Sequence, residues 1–173
     1  MSTGDQGRFR EACRRFATGV TAVTGATPSG EIAALTVNSF TSVSLDPMQV
    51  LVCLAHRSPA SPLLCASPRI AVHVLTDQQE DIARRLATTG LTGPDRLAGL
   101  AWTTGPAGEP LLTGAAARFS GPLVRRIDSG DHAIVVIEVD DVELGTPGDS
   151  ALLFAGGRFM SMADMACGQV QSG

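Results

Sequence analysis

Segments with strand composition make up most of this chain, and several of them follow one another with only a turn between them. The segment "VTAVTGAT" (20–27) alternates β-branched residues, "PSGE" after it has turn chemistry, and "EIAALTV" (31–37) predicts the returning strand of a hairpin. "MQVLVCLA" (48–55) is nearly all apolar and predicts a strand buried on both faces, and "RIAVHVL" (69–75) predicts another. Two long antiparallel strands are predicted over 114–145, joined near 128–130, and a final strand in "ALLFAGGRFMSM" (151–162).

Helical patterns are fewer and lie between these strands. "RFREACRRFAT" (8–18) carries apolar residues on one helical face, with Gly19 expected to end the helix. "DQQEDIARRLA" (77–87) predicts a helix capped by Asp77, while "SPASPLLCASP" (58–68) suits a short helix or a loop. The stretch from Gly90 to Pro110 is rich in loop-forming residues and is expected to be mostly loop. About seven mostly consecutive strands with two or three helices favour a mainly β antiparallel barrel with flanking helices over a doubly wound sheet.

Length and composition limit the class of protein. The 173 residues suit one domain over 1–173, with a core at about 8–160 and disorder expected after about 163. Charged residues make up only 17%, which hints at surface buried against a second copy. The net charge of −4 argues against nucleic acid as a partner.

The cysteines and the first residues of the sequence indicate the cellular compartment in which the protein is expected. The four cysteines form no C-x-x-C pair, and the start "MSTGDQGRFREACRRF" has no apolar run that could serve as a signal peptide. No stretch approaches the ~18 apolar residues of a membrane span. Free thiols without an export signal lead us to expect a cytoplasmic protein with no membrane partner.

The segment "ALTVNSFTSVSLDP" (34–47) has an unusual run of short polar side chains. Six hydroxyl or amide side chains stand among small residues with no charge before Asp46, a composition that suits neither a helix interior nor a regular strand. Such residues can cradle a polar ligand with backbone N–H groups and short donors; a capped turn is the alternative. The chain has no G-x-S-x-G, Walker or G-x-G-x-x-G motif and no metal-ligand spacing of its histidines, so an enzyme of this sequence would depend on an organic cofactor.

Five segments occur in the order in which they are found in one known family. These are "RFATGVTAVTG", "LTVNSFTSVSLDPMQVLVCLAHRS", "AVHVLTDQQEDIARRLA", "SGDHAIVVIEV" and "LLFAGGRF". Together they resemble flavin reductase-like proteins, the FMN-binding split-barrel reductases that supply reduced flavin to two-component monooxygenases. The resemblance covers about residues 8–160. It implies an antiparallel split β-barrel, a homodimer, FMN or FAD as the flavin and NADH or NADPH as the hydride donor.

The resemblance also implies where the ligands bind. His132 matches the histidine expected beside the nicotinamide, where we expect it to position the ring rather than to act as an acid or base. The positions implied to meet the flavin are the polar loop, the end of the strand 48–55, the segment after it, and two later segments: Thr36, Val37, Asn38, Ser39, Cys53, Leu54, Ala55, Arg57, Ser58, Ser61, His73, Phe154 and Arg158. Ser58, Ser61 and Arg57 fall where the family holds the phosphate.

Several positions depart from the family pattern. His73 stands where many relatives have Asn, so a core histidine is as good an interpretation as a ligand contact. The chain has Ile137 before Glu138 where Gly is common, and Pro122 within a predicted strand suggests an edge or a bulge. The predicted function is an NAD(P)H:flavin oxidoreductase that serves an oxygenase. The alternatives are a flavin-binding electron carrier and a split-barrel flavoprotein oxidoreductase that does not reduce free flavin.

Overall fold

The computed structural model describes residues 3–167, which form five α-helices, one 3-10 turn and thirteen strands. The helices are α1 (Thr3–Arg14), α2 (Ala60–Ala66), α3 (Glu80–Ala87), α4 (Gly93–Leu97) and α5 (Met162–Cys167), and the 3-10 turn Asp77–Gln79 precedes α3. The strands are β1 (Thr18–Gly19), β2 (Thr21–Ala26), β3 (Ile32–Val37), β4 (Thr41–Leu45), β5 (Met48–Ala55), β6 (Arg69–Val74), β7 (Trp102–Thr104), β8 (Pro110–Leu112), β9 (Ala117–Ser129), β10 (His132–Glu138), β11 (Asp141–Leu144), β12 (Leu153–Ala155) and β13 (Arg158–Met160).

One antiparallel sheet forms the body of the molecule. Its strands run in the order β3-β2-β6-β9-β10-β5-β4, and β11 pairs with the first half of the long strand β9. β9 bridges the two halves of the sheet, because its start pairs with β6 and its end pairs with β10. Two small sheets, β1-β12-β13 and β7-β8, complete the fold. This arrangement is the expected mainly β, barrel-like sheet with flanking helices.

The β5 strand differs from its prediction. It was expected to be buried on both faces, but its side chains alternate, with Val50, Val52 and Leu54 in the core and the residues between them partly exposed. The residues on the second face are half-buried rather than fully exposed, so apolar side chains occur on both faces and the sequence shows a continuous apolar run. β5 lies between β4 and β10, in register with β10 from His132 opposite Ala55 to Glu138 opposite Gln49.

The predicted end of α1 and the predicted N-cap before α3 both need correction. α1 ends at Arg14, five residues before the expected stop at Gly19, which instead lies in β1. Before α3 the cap is Thr76 and not Asp77, since the Thr76 backbone N–H donates to Oε1 of Gln79 at 3.1 Å. This reciprocal arrangement of residues 76 and 79 is a capping box, whereas the Asp77 side chain only accepts a bond from its neighbour Gln78.

The loop-rich stretch and the tail hold more structure than the sequence indicates. Residues 90–110 contain α4 and the start of the β7-β8 hairpin, and the final segment forms the β12-β13 hairpin in place of one strand. α5 spans Met162–Cys167, where disorder was expected after about 163; residues 168–173 lie outside the described residues. Within residues 3–167 no helix combines the length and the apolar character needed to cross a membrane.

Candidate functional site

A cavity of about 380 Å³ opens where the end of β3, the end of β5 and the start of β10 meet. We call it the polar-loop cavity, because the loop that follows β3 forms one of its walls. The pairing of His132 with Ala55 brings the start of β10 to this edge of the sheet. Its lining consists of Leu35, Thr36, Val37, Asn38, Ser39, Cys53, Ala55, Arg57, Ser58, Pro59, Ala87, Thr89, Arg96 and His132.

Two hydroxyls, one near the end of β3 and one in the loop that follows it, hold this wall of the cavity in place. Ser39 Oγ accepts from the Cys53 backbone N–H at 2.8 Å and donates to the Cys53 carbonyl at 3.1 Å, which fastens the loop to β5. Thr36 Oγ1 donates to the Ala83 carbonyl at 2.7 Å and so joins β3 to α3. The polar run therefore serves first to shape the cavity wall, and these two hydroxyls are already engaged within the protein.

Three other polar side chains at the cavity have no such engagement. Among residues 3–167, the Asn38 amide and the Ser58 hydroxyl make no hydrogen bond to protein. The Arg57 guanidinium forms no ion pair with a described residue, although its charge contributes to lowering the pKa of the Asp131 carboxyl. A cation and two uncommitted donors at one cavity suit a ligand that carries an anionic group and further acceptors.

His132 lies at the cavity with its ring fixed by a carboxylate. Its Nδ1 is 2.7 Å from Oδ1 of Asp131, and this hydrogen bond is the main reason why the pKa of Asp131 is below its usual range. Because the ionised carboxylate accepts, Nδ1 carries the proton and donates it to this bond. The bond fixes the plane of the imidazole and leaves Nε2 as the nitrogen available to a ligand.

Phe154 lies next to this cavity rather than in it. It lines an adjoining cavity of about 190 Å³ that shares Thr36, Val37 and Asn38 with the polar-loop cavity. Its ring packs edge-on against Phe159 at 5.3 Å between centroids, and Arg84 lies 4.9 Å from the Phe159 centroid. The β12-β13 hairpin thus brings an aromatic pair to the far side of the polar loop.

Four of the residues expected at a flavin site do not line either of these cavities. The Leu54 side chain lies in the core, Arg158 is exposed on β13, and Ser61 is buried with its hydroxyl donating to the Ala55 carbonyl at 2.6 Å. His73 is fully buried: Nε2 accepts from the Leu112 backbone N–H at 3.0 Å, so Nδ1 donates to the Ala22 carbonyl at 3.1 Å. Burial lowers the pKa of His73 to about 4, and the ring is neutral.

Sequence reasoning missed several residues of the lining, of which Arg96 is the most unusual. Its side chain is 4% exposed and donates to the backbone carbonyls of Ala34, Leu86 and Leu91, while burial lowers its pKa. It comes from α4, within a stretch expected to be loop. No local pattern marks it, because its partners are backbone atoms from three separate segments. Leu35, Pro59, Ala87 and Thr89 also line the cavity and were not predicted.

Comparison with known proteins points to one family. The sequence model of the flavin reductase like domain matches residues 13–163. The FMN reductase (NADH) SmoA of Agrobacterium fabrum is 39% identical over 87% of this chain and 83% of its own. The reductase component of 4-hydroxyphenylacetate 3-monooxygenase from Salmonella typhimurium is 30% identical over 85% of this chain and 86% of its own. The solved structure of the Streptomyces globisporus NADH:FAD oxidoreductase SgcE6, in complex with NAD and FAD fragments, is 36% identical with a TM-score of 0.83 over 92% of this chain and 94% of its own.

Proposed function

The chain belongs to the flavin reductase-like domain family, and from this we propose that it is an NAD(P)H:flavin oxidoreductase that reduces FMN or FAD. The observation that carries the proposal is the polar-loop cavity, in which a fixed imidazole faces the same space as a free guanidinium and two uncommitted donors. When bound, the flavin supplies the redox chemistry by accepting a hydride from the nicotinamide.

The residues of the cavity fit a flavin in two respects. The flavin ring edge is rich in acceptors, and the Asn38 amide together with the loop backbone supplies donors for it without bulky side chains. The flavin phosphate is an anion, and Arg57 and Ser58 offer it a charge-assisted and a neutral hydrogen bond. Cys53 and Ala55, on the partly exposed face of β5, would form the floor beneath the ring.

The protein contributes binding and orientation to the reaction. His132, fixed by Asp131, would position the nicotinamide through its Nε2. No side chain has to supply the hydride, so the rate depends on how well the two rings are held at reacting distance. The hydroxyls of Ser39 and Thr36 would act indirectly, because they keep the loop in the shape that the flavin requires.

The oxygenase partner and the homodimer belong to the same proposal. A relative that covers most of this chain is named as the reductase component of a monooxygenase, which supports transfer of reduced flavin to an oxygenase. A homodimer is supported by large apolar side chains that stay exposed, among them Phe9 on α1 at 68% and Phe16 after it at 74%. A cytoplasmic location would agree with the use of NAD(P)H as the donor.

The test follows absorbance at 340 nm with purified protein and either NADH or NADPH, each combined with FMN or FAD. Rapid loss of absorbance in at least one of the four mixtures is expected, and it also reveals the preferred donor and flavin. A flat trace in all four would contradict the reductase function. Flavin bound without turnover would then indicate a carrier, and flavin retained through dialysis would indicate a prosthetic group acting on another substrate.

A further inference from the structure

Arg96 places a buried positive charge in the wall of the polar-loop cavity. Two arginines line this cavity, but Arg57 is exposed to solvent whereas Arg96 is only 4% exposed. Arginine keeps its proton in proteins, so both side chains carry a full positive charge. Water and salt screen the charge of Arg57. The charge of Arg96 is screened much less, and it therefore acts more strongly on groups inside the cavity.

The hydrogen bonds of Arg96 go to neutral oxygens. Its Nε donates to the Leu91 carbonyl at 3.2 Å, and its Nη1 donates to the Ala34 carbonyl at 3.4 Å and to the Leu86 carbonyl. Its Nη2 makes no hydrogen bond to any residue of the described range 3–167. The guanidinium is therefore fixed by three carbonyls and still has two unused N–H donors.

No carboxylate neutralises Arg96 in the part of the chain that the structure describes. The adjacent Asp95 carboxylate accepts from Thr92 Oγ1 at 2.6 Å at the start of α4, and Arg96 forms no ion pair. Burial lowers the pKa of Arg96, and no neighbouring carboxylate counteracts this shift. A buried charge without an opposite charge destabilises a folded protein. A negative charge that develops in the cavity would therefore be stabilised there.

The proposed reaction creates such a charge. The C4–H bond of the nicotinamide breaks, and the hydrogen leaves with both electrons to form the N5–H bond of the flavin. The nicotinamide becomes a cation and the flavin ring system gains one negative charge, so atoms and charge balance. The phosphate of FMN carries the same charge before and after this step. Reduction therefore changes the charge of the flavin ring and not that of its phosphate.

We propose that Arg96 stabilises the anionic reduced flavin relative to the oxidised flavin, so that its buried charge raises the reduction potential of the flavin in the polar-loop cavity. This inference rests on the proposed function. The cavity has a volume of only about 380 Å³, so a charge in its wall lies close to any ring inside it, where Coulomb interactions are stronger than in water. Arg57, which is proposed to hold the phosphate, favours both redox states equally.

The experiment measures the Kd of oxidised FMN and the Kd of dithionite-reduced FMN by anaerobic calorimetry, without nicotinamide and without turnover. Arg96→Met removes the charge and keeps a long side chain. It should raise the Kd of reduced FMN about tenfold more than the Kd of oxidised FMN, which is equivalent to a reduction potential lower by about 30 mV. Arg96→Lys keeps the charge but cannot reproduce all three carbonyl bonds, and the ratio of the two Kd values should stay within about twofold of wild type.

Arg85→Met is the matched control for a loss of structure. Arg85 Nη2 donates to the Asp95 carbonyl at 2.7 Å, so it also holds the segment of α4, but Arg85 does not line the polar-loop cavity. Loosening this segment should raise both Kd values together and leave their ratio unchanged. A changed ratio therefore reports the charge of Arg96 rather than the position of α4.

Three results would overturn the inference. They are an Arg96→Met protein that weakens both forms of FMN equally, an Arg96→Lys protein whose ratio changes as much as that of Arg96→Met, and wild-type protein in which bound FMN has a lower reduction potential than free FMN. The last measurement needs no variant and decides the matter if Arg96→Met does not fold. A protein that shows the expected ratios and yet oxidises no NADH or NADPH would contradict the proposed reductase function, but not the role of Arg96.

Discussion

Arg57 is an exposed arginine that forms no ion pair within residues 3–167, and it lies at a cavity with Ser58 and Asn38. If it holds the flavin phosphate, Arg57→Ala should raise the Kd of FMN about tenfold, the size of one charge-assisted hydrogen bond. The Kd of riboflavin, which has no phosphate, should not change. Fluorescence titration with both flavins measures the difference, and Arg125→Ala, at an exposed arginine on β9, is the control. Equal weakening of both flavins would speak against a phosphate contact.

His132 is expected to act on the nicotinamide and not on the flavin. His132→Asn should lower kcat/KM for NADH by about 10- to 100-fold, or roughly 1–3 kcal/mol of transition-state stabilisation, while the Kd of FMN stays within a factor of two. Steady-state kinetics with NADH varied at saturating FMN measures the effect. His56→Asn is the control, since His56 is a surface histidine that does not line the cavity. An unchanged kcat/KM would exclude His132 from the reaction.

The lowered pKa of His73 predicts how the free energy of unfolding depends on pH. Its folded pKa of about 4 is below the unfolded value of 6.5, so between these values the unfolded chain binds the extra proton and stability falls as pH falls. From pH 7 to pH 4.5 the loss should be roughly 2–3 kcal/mol, and below pH 4 this residue adds nothing further. The charge of Arg118 acts in the same direction as burial, while the hydrogen bond to Ala22 opposes it.

The measurement for His73 is urea unfolding at several pH values. His73→Asn, which cannot titrate but keeps an amide oxygen as an acceptor, should show a flatter dependence between pH 7 and pH 4.5. His56→Asn should keep the wild-type slope. The carboxylates Asp140 and Asp141, whose pKa values are lowered by Arg69 and Arg118, lose their contribution only below about pH 4 and fall outside this window. An equal slope in wild type and His73→Asn would refute the prediction.

At the scale of elements, the start of α3 distinguishes two candidate caps. Gln79 accepts from the Thr76 backbone N–H and donates to the Thr113 carbonyl at 3.1 Å, so it joins the helix start to the loop after β8. Gln79→Ala should lower the free energy of unfolding by about 1 kcal/mol. Asp77→Ala should change it by less than about 0.5 kcal/mol, because its side chain bonds only its neighbour. Thermal unfolding of both variants tests the pair, and the opposite order would restore Asp77 as the cap.

Element boundaries show where local patterns suffice. The β2-β3 hairpin, β6 and the β9-β10 pair follow from alternation and turn residues, since these signals are carried by neighbours in the sequence. Local patterns do not predict that α1 ends early, because its end depends on where β1 pairs with β12. They also do not predict that one face of β5 is partly exposed, because this depends on which elements cover the strand. α4 is held by Gly93 and Arg96, whose partners are distant in sequence.

At the scale of the whole molecule, the exposed apolar surface predicts self-association. Phe9 and Phe16 are mostly exposed in the described part of the chain, and the low charged fraction of 17% agrees with surface hidden by a second copy. Sedimentation equilibrium should give twice the chain mass of 17.9 kDa. The double variant Phe9→Ser with Phe16→Ser should weaken the dimer, and Leu144→Ser, at an exposed leucine on β11, tests whether that face contributes instead. A monomeric wild-type protein at micromolar concentration would contradict the prediction.

The candidate site also has residues that the sequence predicts from contiguous segments and residues whose position depends on partners distant in the sequence. Nine of the fourteen predicted residues line the polar-loop cavity, and they come from four short segments: the end of β3 with the loop after it (36–39), the end of β5, the segment 57–58 and the start of β10. Ser61 and His73 were named from their neighbours in the sequence, but their polar atoms bond to backbone inside the protein. Whether a polar side chain faces a cavity or the core depends on which strand lies across from it.

The sequence by itself determined the kind of fold, the succession of the main strands along the chain and the family, because alternation, turn chemistry and ordered motifs are local in the chain. Only the tertiary structure decided which polar groups stay free. Thr36 and Ser39 are engaged by α3 and β5, while the side chains of Asn38, Arg57 and Ser58 make no hydrogen bond or ion pair within residues 3–167. It alone also placed Arg96 in the wall of the polar-loop cavity. The physical reason is that hydrogen-bond satisfaction and burial are set by partners tens of residues away, which no local pattern specifies.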